Sequence, residues 1–62
     1  MDDASRRASL EAELSRLAKL PPNSAYVAHR TAVARRALQL LSAQRTLAEA
    51  DELERLLGGL SL

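Results

Sequence analysis

The stretch Gln44-Arg45-Thr46-Leu47-Ala48-Glu49, QRTLAE, decides the architecture of this chain. Thr46 and Glu49 stand at capping-box spacing. In that arrangement the Thr hydroxyl accepts from the backbone N–H three residues on, and the Glu carboxylate accepts from the N–H of the Thr. Read so, a helix begins at Thr46 and the chain turns just before it. Read otherwise, Thr46 lies inside one long helix, because neither Gly nor Pro occurs between Ser24 and Leu57.

The apolar phase separates the two readings. At about 100° per residue, Tyr26, Val33, Ala37, Leu40, Leu41, Leu47 and Ala48 fall in one arc. Leu53, Leu56, Leu57 and Leu60 fall in another, nearly opposite. A straight helix with two opposed stripes needs two partners, whereas a turn near Gln44 to Thr46 lets both stripes face one core.

Two further stops are visible. In Leu20-Pro21-Pro22-Asn23-Ser24 the first proline pushes its predecessor out of the helical region, so a helix ends near Lys19 or Leu20. Asn23 or Ser24 then offers an oxygen to the free N–H groups of the next helix. At Gly58-Gly59 glycine's tolerance of the left-handed cap conformation predicts a stop near Leu57. The first helix carries Leu10, Leu14 and Leu17, with Ala18 beside them. Asp2 with Arg6, and Asp3 with Arg7, stand at the spacing of acid-before-base pairs.

Sixty-two residues make one small domain. A chain this short buries only about 60% of its unfolded surface, so its stability is marginal without a staple or a partner. There is no Cys, and the apolar residues are chiefly Leu and Ala, with no Phe, Trp or Ile. Such a core is helical by propensity and poor in shape-specific side chains, which favours association. The opening MDDASRRASL lacks the apolar segment of a signal peptide, and no apolar run approaches the length of a membrane span. An intracellular protein, cytoplasmic or nuclear, is expected.

Charge is uneven along the chain. Residues 1–20 are neutral overall, 21–45 carry four Arg and no acid, and 46–62 carry four acids and one Arg. A basic second helix beside an acidic third can attract it within one chain or between chains. Arg30, Arg35 and Arg36 are the candidate phosphate contacts of that basic helix. The overall charge is only +1, however, and Tyr26 is the sole aromatic, so no stacking platform for single strands exists.

His29, the single histidine, lacks the neighbouring ligands a metal site needs and the nucleophile a catalytic base needs. Glu52 and Glu54 are too close in sequence to share a helix face, so they form no acid/base dyad. Tyr26 is expected to cover the Pro21-Pro22 corner or to anchor an interface. No enzyme activity, cofactor, metal or small-molecule substrate is expected.

Within Asp51-Glu52-Leu53-Glu54-Arg55-Leu56-Leu57-Gly58-Gly59-Leu60 lies LERLL. It resembles the nuclear-receptor box, whose leucines match Leu53, Leu56 and Leu57. Extended to Leu60 and Leu62, the spacing resembles a leucine-rich nuclear export signal. Both resemblances imply a helix laid in an apolar groove. The same spacing is what any core-facing helix shows.

The expected fold is all-α, a helical hairpin or three-helix bundle in a single domain. Its helices run at about 3–19, 24–44 and 46–57 with a short tail at 58–62, and the last two helices are continuous if Thr46 is not a cap. The expected function is a non-enzymatic interaction or assembly subunit, associating with itself or a partner in coiled-coil fashion. Leu53, Leu56, Leu57, Leu60, Tyr26 and Leu40 are its candidate partner-binding residues. The alternative is a weak nucleic-acid binder using the basic second helix.

Overall fold

Each helix opens on a residue type suited to its free N–H groups. Asp2 Oδ1 accepts from the Ser5 N–H at 2.8 Å, and Ser24 Oγ from the Val27 N–H at 3.4 Å. Thr46 Oγ1 accepts from the Glu49 N–H at 3.2 Å, and Glu49 Oε1 accepts in return from the Thr46 N–H at 3.0 Å. The capping box is therefore formed, and the long continuous helix is not. The computed structural model describes residues 2–62. Its three helices are α1 (Asp3–Leu17), α2 (Ala25–Ser42) and α3 (Leu47–Leu60), with no strand among the described residues.

The helix ends depart from expectation in instructive ways. α1 stops at Leu17, two residues before the anticipated Lys19. The Lys19 and Leu20 N–H groups bond back only three residues, to Arg16 and Leu17, tightening the chain into the turn that Pro21 demands. α2 ends at Ser42 because Ala43 is extended, at φ −125° and ψ 160°. The Arg45 guanidinium then donates to the Leu40 carbonyl at 2.7 Å, satisfying an acceptor that the helix has left open. α3 does not stop at Leu57. It continues through Gly58 and Gly59 to Leu60, and the left-handed cap is Ser61, at φ 61° and ψ 37°. Residues 58–60 are thus helix and not tail.

α2 is the central element. It packs against α1 on one side and α3 on the other, while α1 and α3 share no close backbone approach among the described residues. Leu10 of α1, Ala34, Ala37, Leu40 and Leu41 of α2, and Leu53, Leu57 and Leu60 of α3 form the buried core. Ala34 and Ala37 are fully covered, and their small side chains let the flanking helices approach α2 closely. Leu17 and Val27 are buried at the α1–α2 corner.

The two stripes meet as the turn requires, with three corrections to their membership. Leu47, expected in the first stripe, is 88% exposed, and Ala48 is exposed as well. Once the helix restarts at Leu47, both belong to the phase of α3, on the side away from Leu53 and Leu57. Val27 and Ala34, outside the expected stripe, are buried. Tyr26 lies within the stripe by angle but is 61% exposed. Arg30 meets Leu60, the last residue of α3, so Tyr26, one turn earlier in α2, projects past the end of that helix. Its ring lines the depression between α2 and α3.

The expected Asp2–Arg6 and Asp3–Arg7 pairs are not formed either. Asp2 is occupied as a cap, Arg6 reaches Glu54 of α3 at 3.0 Å, and Asp3 receives Arg45 at 3.3 Å. Arg7 donates to Ser42 Oγ. Tertiary partners have replaced the local ones.

Candidate functional site

A groove of about 400 Å³ lies between α2 and α3. Tyr26, His29, Arg30 and Val33 line it from α2, and Arg55, Leu56, Gly59 and Leu60 from α3. The sequence brings these together by simple periodicity. Tyr26, His29, Arg30 and Val33 recur at three, one and three residues, and Leu56, Gly59 and Leu60 at three and one, so each set occupies one strip of its helix. Tyr26 is exposed, while Val33 and Leu56 are half-buried and rest on the core.

The charged residues of the lining are Arg30 and Arg55, with His29 beside them; no carboxylate lines the groove. Arg30 is held by two acceptors. Its Nε donates to Glu13 Oε1 at 2.5 Å, and its Nη2 to the Leu60 carbonyl at 2.8 Å. Glu13 is itself buried and also accepts from Arg16, at 2.6 and 3.3 Å. The Arg16 and Arg30 hydrogen bonds, in that order, hold the Glu13 carboxyl at about 2, against an ordinary 4.5. One arginine thereby ties all three helices together beside the groove. Arg55 and His29 are exposed, and neither forms an ion pair among the described residues.

The candidate partner-binding residues divide. Leu40, Leu53, Leu57 and Leu60 are each no more than 3% exposed. Two of the three leucines of LERLL, Leu53 and Leu57, are thus closed inside the chain's own core, and of the four only Leu60 also lines the groove. Leu56 and Tyr26 are the members that reach the surface. The candidate phosphate contacts divide as well. Arg30 is engaged as described, and Arg36 makes a two-pronged pair with Glu52 at 2.8 and 3.0 Å. That pair raises the pKa of Arg36 and lowers that of Glu52. Arg35 is exposed beside a shallower depression at the α1–α2 corner, lined by Leu17, Leu20, Pro22 and Val27.

Sequence reading missed Glu13 and Arg45. Glu13 had a signal: it stands three residues after Leu10 and four before Leu17, an acid on the apolar stripe, and such a position calls for a buried cation. Arg45 had none beyond its nearness to the turn.

Among the described residues no group of three His, Cys, Asp or Glu is placed to hold a metal ion, and no helix is long and apolar enough to cross a membrane. Compared with protein-family models, curated proteins and solved structures, the chain matches none.

Proposed function

We propose that this chain is a non-enzymatic interaction or assembly module that meets other protein through the groove between α2 and α3. One observation carries the reading. Tyr26, 61% exposed, stands at the mouth of an open groove floored by Val33 and Leu56. An aromatic residue with an apolar body and a polar tip, beside a concavity, is a usual anchor of a protein contact. The buried leucines take part from behind, by holding α3 at the distance from α2 that keeps the groove open.

The nucleic-acid reading of α2 has less behind it. Two of its three arginines already hold carboxylates, and a phosphate would have to displace those partners. Duplex binding near physiological salt is expected to be absent. Binding that weakens steeply with salt and is lost in the Arg35→Ala, Arg36→Ala double variant would displace the interaction reading.

The test of the interaction reading is a map of backbone amide shifts. It is recorded while the protein's own concentration is raised, and again while a synthetic amphipathic helix is added, with leucines at i, i+3, i+4 and i+7 and glutamates elsewhere. Shifts concentrated at Tyr26, Val33, Arg55 and Leu56 in either titration, and reduced by Tyr26→Ala, are the expected result. A spectrum unmoved in both titrations sinks the reading.

A further inference from the structure

We infer that the groove's occupant is α3 of a second copy of this chain, in an antiparallel two-fold dimer centred near Leu53. The inference rests on the interaction reading above and names its partner.

The argument begins with what the fold leaves uncovered. The large apolar side chains left exposed among the described residues are Tyr26, Leu47 and Leu62. Leu47 is the first residue of α3, and the groove lies beside the last turns of the same helix. A two-fold axis reverses one α3 against the other, so the start of each lies beside the end of its mate. Leu47 stands six residues before Leu53 and Gly59 six after; Asp51 stands two before and Arg55 two after. A single register therefore sets Leu47 of one copy over Gly59 of the other, at the edge of the groove, and Asp51 beside Arg55. Both contacts occur twice, as a self-complementary interface requires.

Charge favours the same register. No carboxylate lines the groove, and with Arg30 already paired to Glu13 its free cation among the described residues is Arg55. The half of α3 before Leu53, which would approach it, carries Glu49, Asp51 and Glu52 with no base. Near the axis the register brings Glu52 toward Glu54 of the other copy. Each of these already has a cation within its own chain, Arg36 for Glu52 and Arg6 for Glu54, so the approach is not one of bare like charges. Asp51 and Arg55 lack ion-pair partners among the described residues. Gly59 has open space where a side chain would stand, which leaves room for the incoming Leu47. Seating it there covers Leu47, and association through exposed apolar surface is what such surface favours.

The register has a test specific to it. Asp51→Arg alone sets a second guanidinium against Arg55 across the axis, and Arg55→Glu alone sets a second carboxylate against Asp51. Each variant by itself should dissociate roughly tenfold more readily than the unaltered chain, since like charges facing each other in an interface are costly. Mixed in equal amounts, the two variants form a heterodimer in which one crossing pairs the two introduced charges and the other the two native ones, opposite in sign both times, and the dimer should return. Both positions are exposed, so helicity by circular dichroism should be unchanged and a failure to fold is recognisable. Sedimentation velocity from micromolar to millimolar protein provides the mass, and Leu47→Glu should leave a folded monomer. An unaltered chain that remains monomeric throughout overturns the dimer, as does a mixture that fails to recover it. If the chain is monomeric but the synthetic acidic helix still moves the groove resonances, the dimer fails while the interaction reading stands. If neither occurs, both fail.

Discussion

The two ends of α3 are built on different principles. Its start is local. Thr46 and Glu49 satisfy each other's N–H groups across three residues, and nothing distant is needed. Its end is tertiary. Two glycines, a poor choice within a helix, are carried through in helical conformation, with neither at positive φ. Leu60 is 3% exposed in the core, and its carbonyl receives Arg30 from α2. The chain then closes in a Schellman pattern, Leu62 N–H to the Leu57 carbonyl and Ser61 N–H to the Gly58 carbonyl. Burial of one leucine and one long-range hydrogen bond have outweighed the local preference for a stop. A start can be written in four residues, whereas this stop depends on a residue 30 positions away.

Breaking the tertiary end should have the largest effect. Leu60→Ala removes the anchor that draws the glycines into the helix. It should cost about 2–5 kcal/mol in chemical denaturation, the range for a large-to-small change in a core. It should also speed amide exchange at Ser61 and Leu62, and protection equal to that of the unaltered chain would show that the end is held locally after all.

The polar half of the same end is sharpened by acid. The Glu13 carboxyl lies near 2 when folded and near 4.5 when free, so the stabilisation it provides is fully present above about pH 5. That stabilisation is lost as pH falls from about 4.5 to about 2. Glu13→Gln should cost about 1.5–3 kcal/mol at neutral pH, as expected for hydrogen bonds to a charged group. It should also flatten the acid decline, leaving the smaller slope of Asp2 and Glu52, whose carboxyls are lowered by Ser5 and Arg36. An unchanged profile would remove Glu13 from the account.

At the local end, Thr46→Ala should cost about 0.5–2 kcal/mol. In an uninterrupted helix the same change would be neutral or favourable, since Ala is the better interior residue, so the sign alone tests the turn by thermal or denaturant melting. Gly58→Ala should go the other way. The added methyl meets nothing within 4 Å, and a gain of about 0.5–1 kcal/mol is expected. The smallest effect belongs to Ser61→Gly. The left-handed conformation at φ 61° penalises any residue with a Cβ, and relief at this exposed position should be about 0.5 kcal/mol. A loss of stability in either glycine experiment would mean that these residues contact something the folded monomer does not contain.

The same contrast explains how far the sequence could be read. The helices, the proline corner, the caps at Ser24 and Thr46 and the turn before Thr46 follow from signals a few residues wide, and each was legible. So were the core roles of Leu10, Leu17, Leu40, Leu53 and Leu57, which repeat at helical spacing. The capping role of Asp2 was not, since Asp2 reads equally as an ion-pair partner of Arg6. What escaped depended on where one helix lies along another. Tyr26 has the angle of a core residue, but the end of α3 falls short of it, and no periodicity contains that length. Leu47 changed face because the phase restarts with the helix it opens. The groove's lining was legible only in part, through Tyr26, Arg30, Leu56 and Leu60, each singled out from the sequence. Val33 carries the spacing of a core residue, and nothing local to His29 or Arg55 sets either apart from a solvated side chain.

The position of α2 between its two sequence neighbours has a kinetic consequence. Every helix–helix packing joins elements adjacent in the chain, through connections of only a few residues. Such loops close at small entropic cost, and either hairpin can form before the other. Chains dominated by contacts of this kind fold in microseconds to milliseconds. This one should therefore reach its native arrangement far faster than copies at micromolar concentration can meet, so any association it undergoes takes place between molecules already folded.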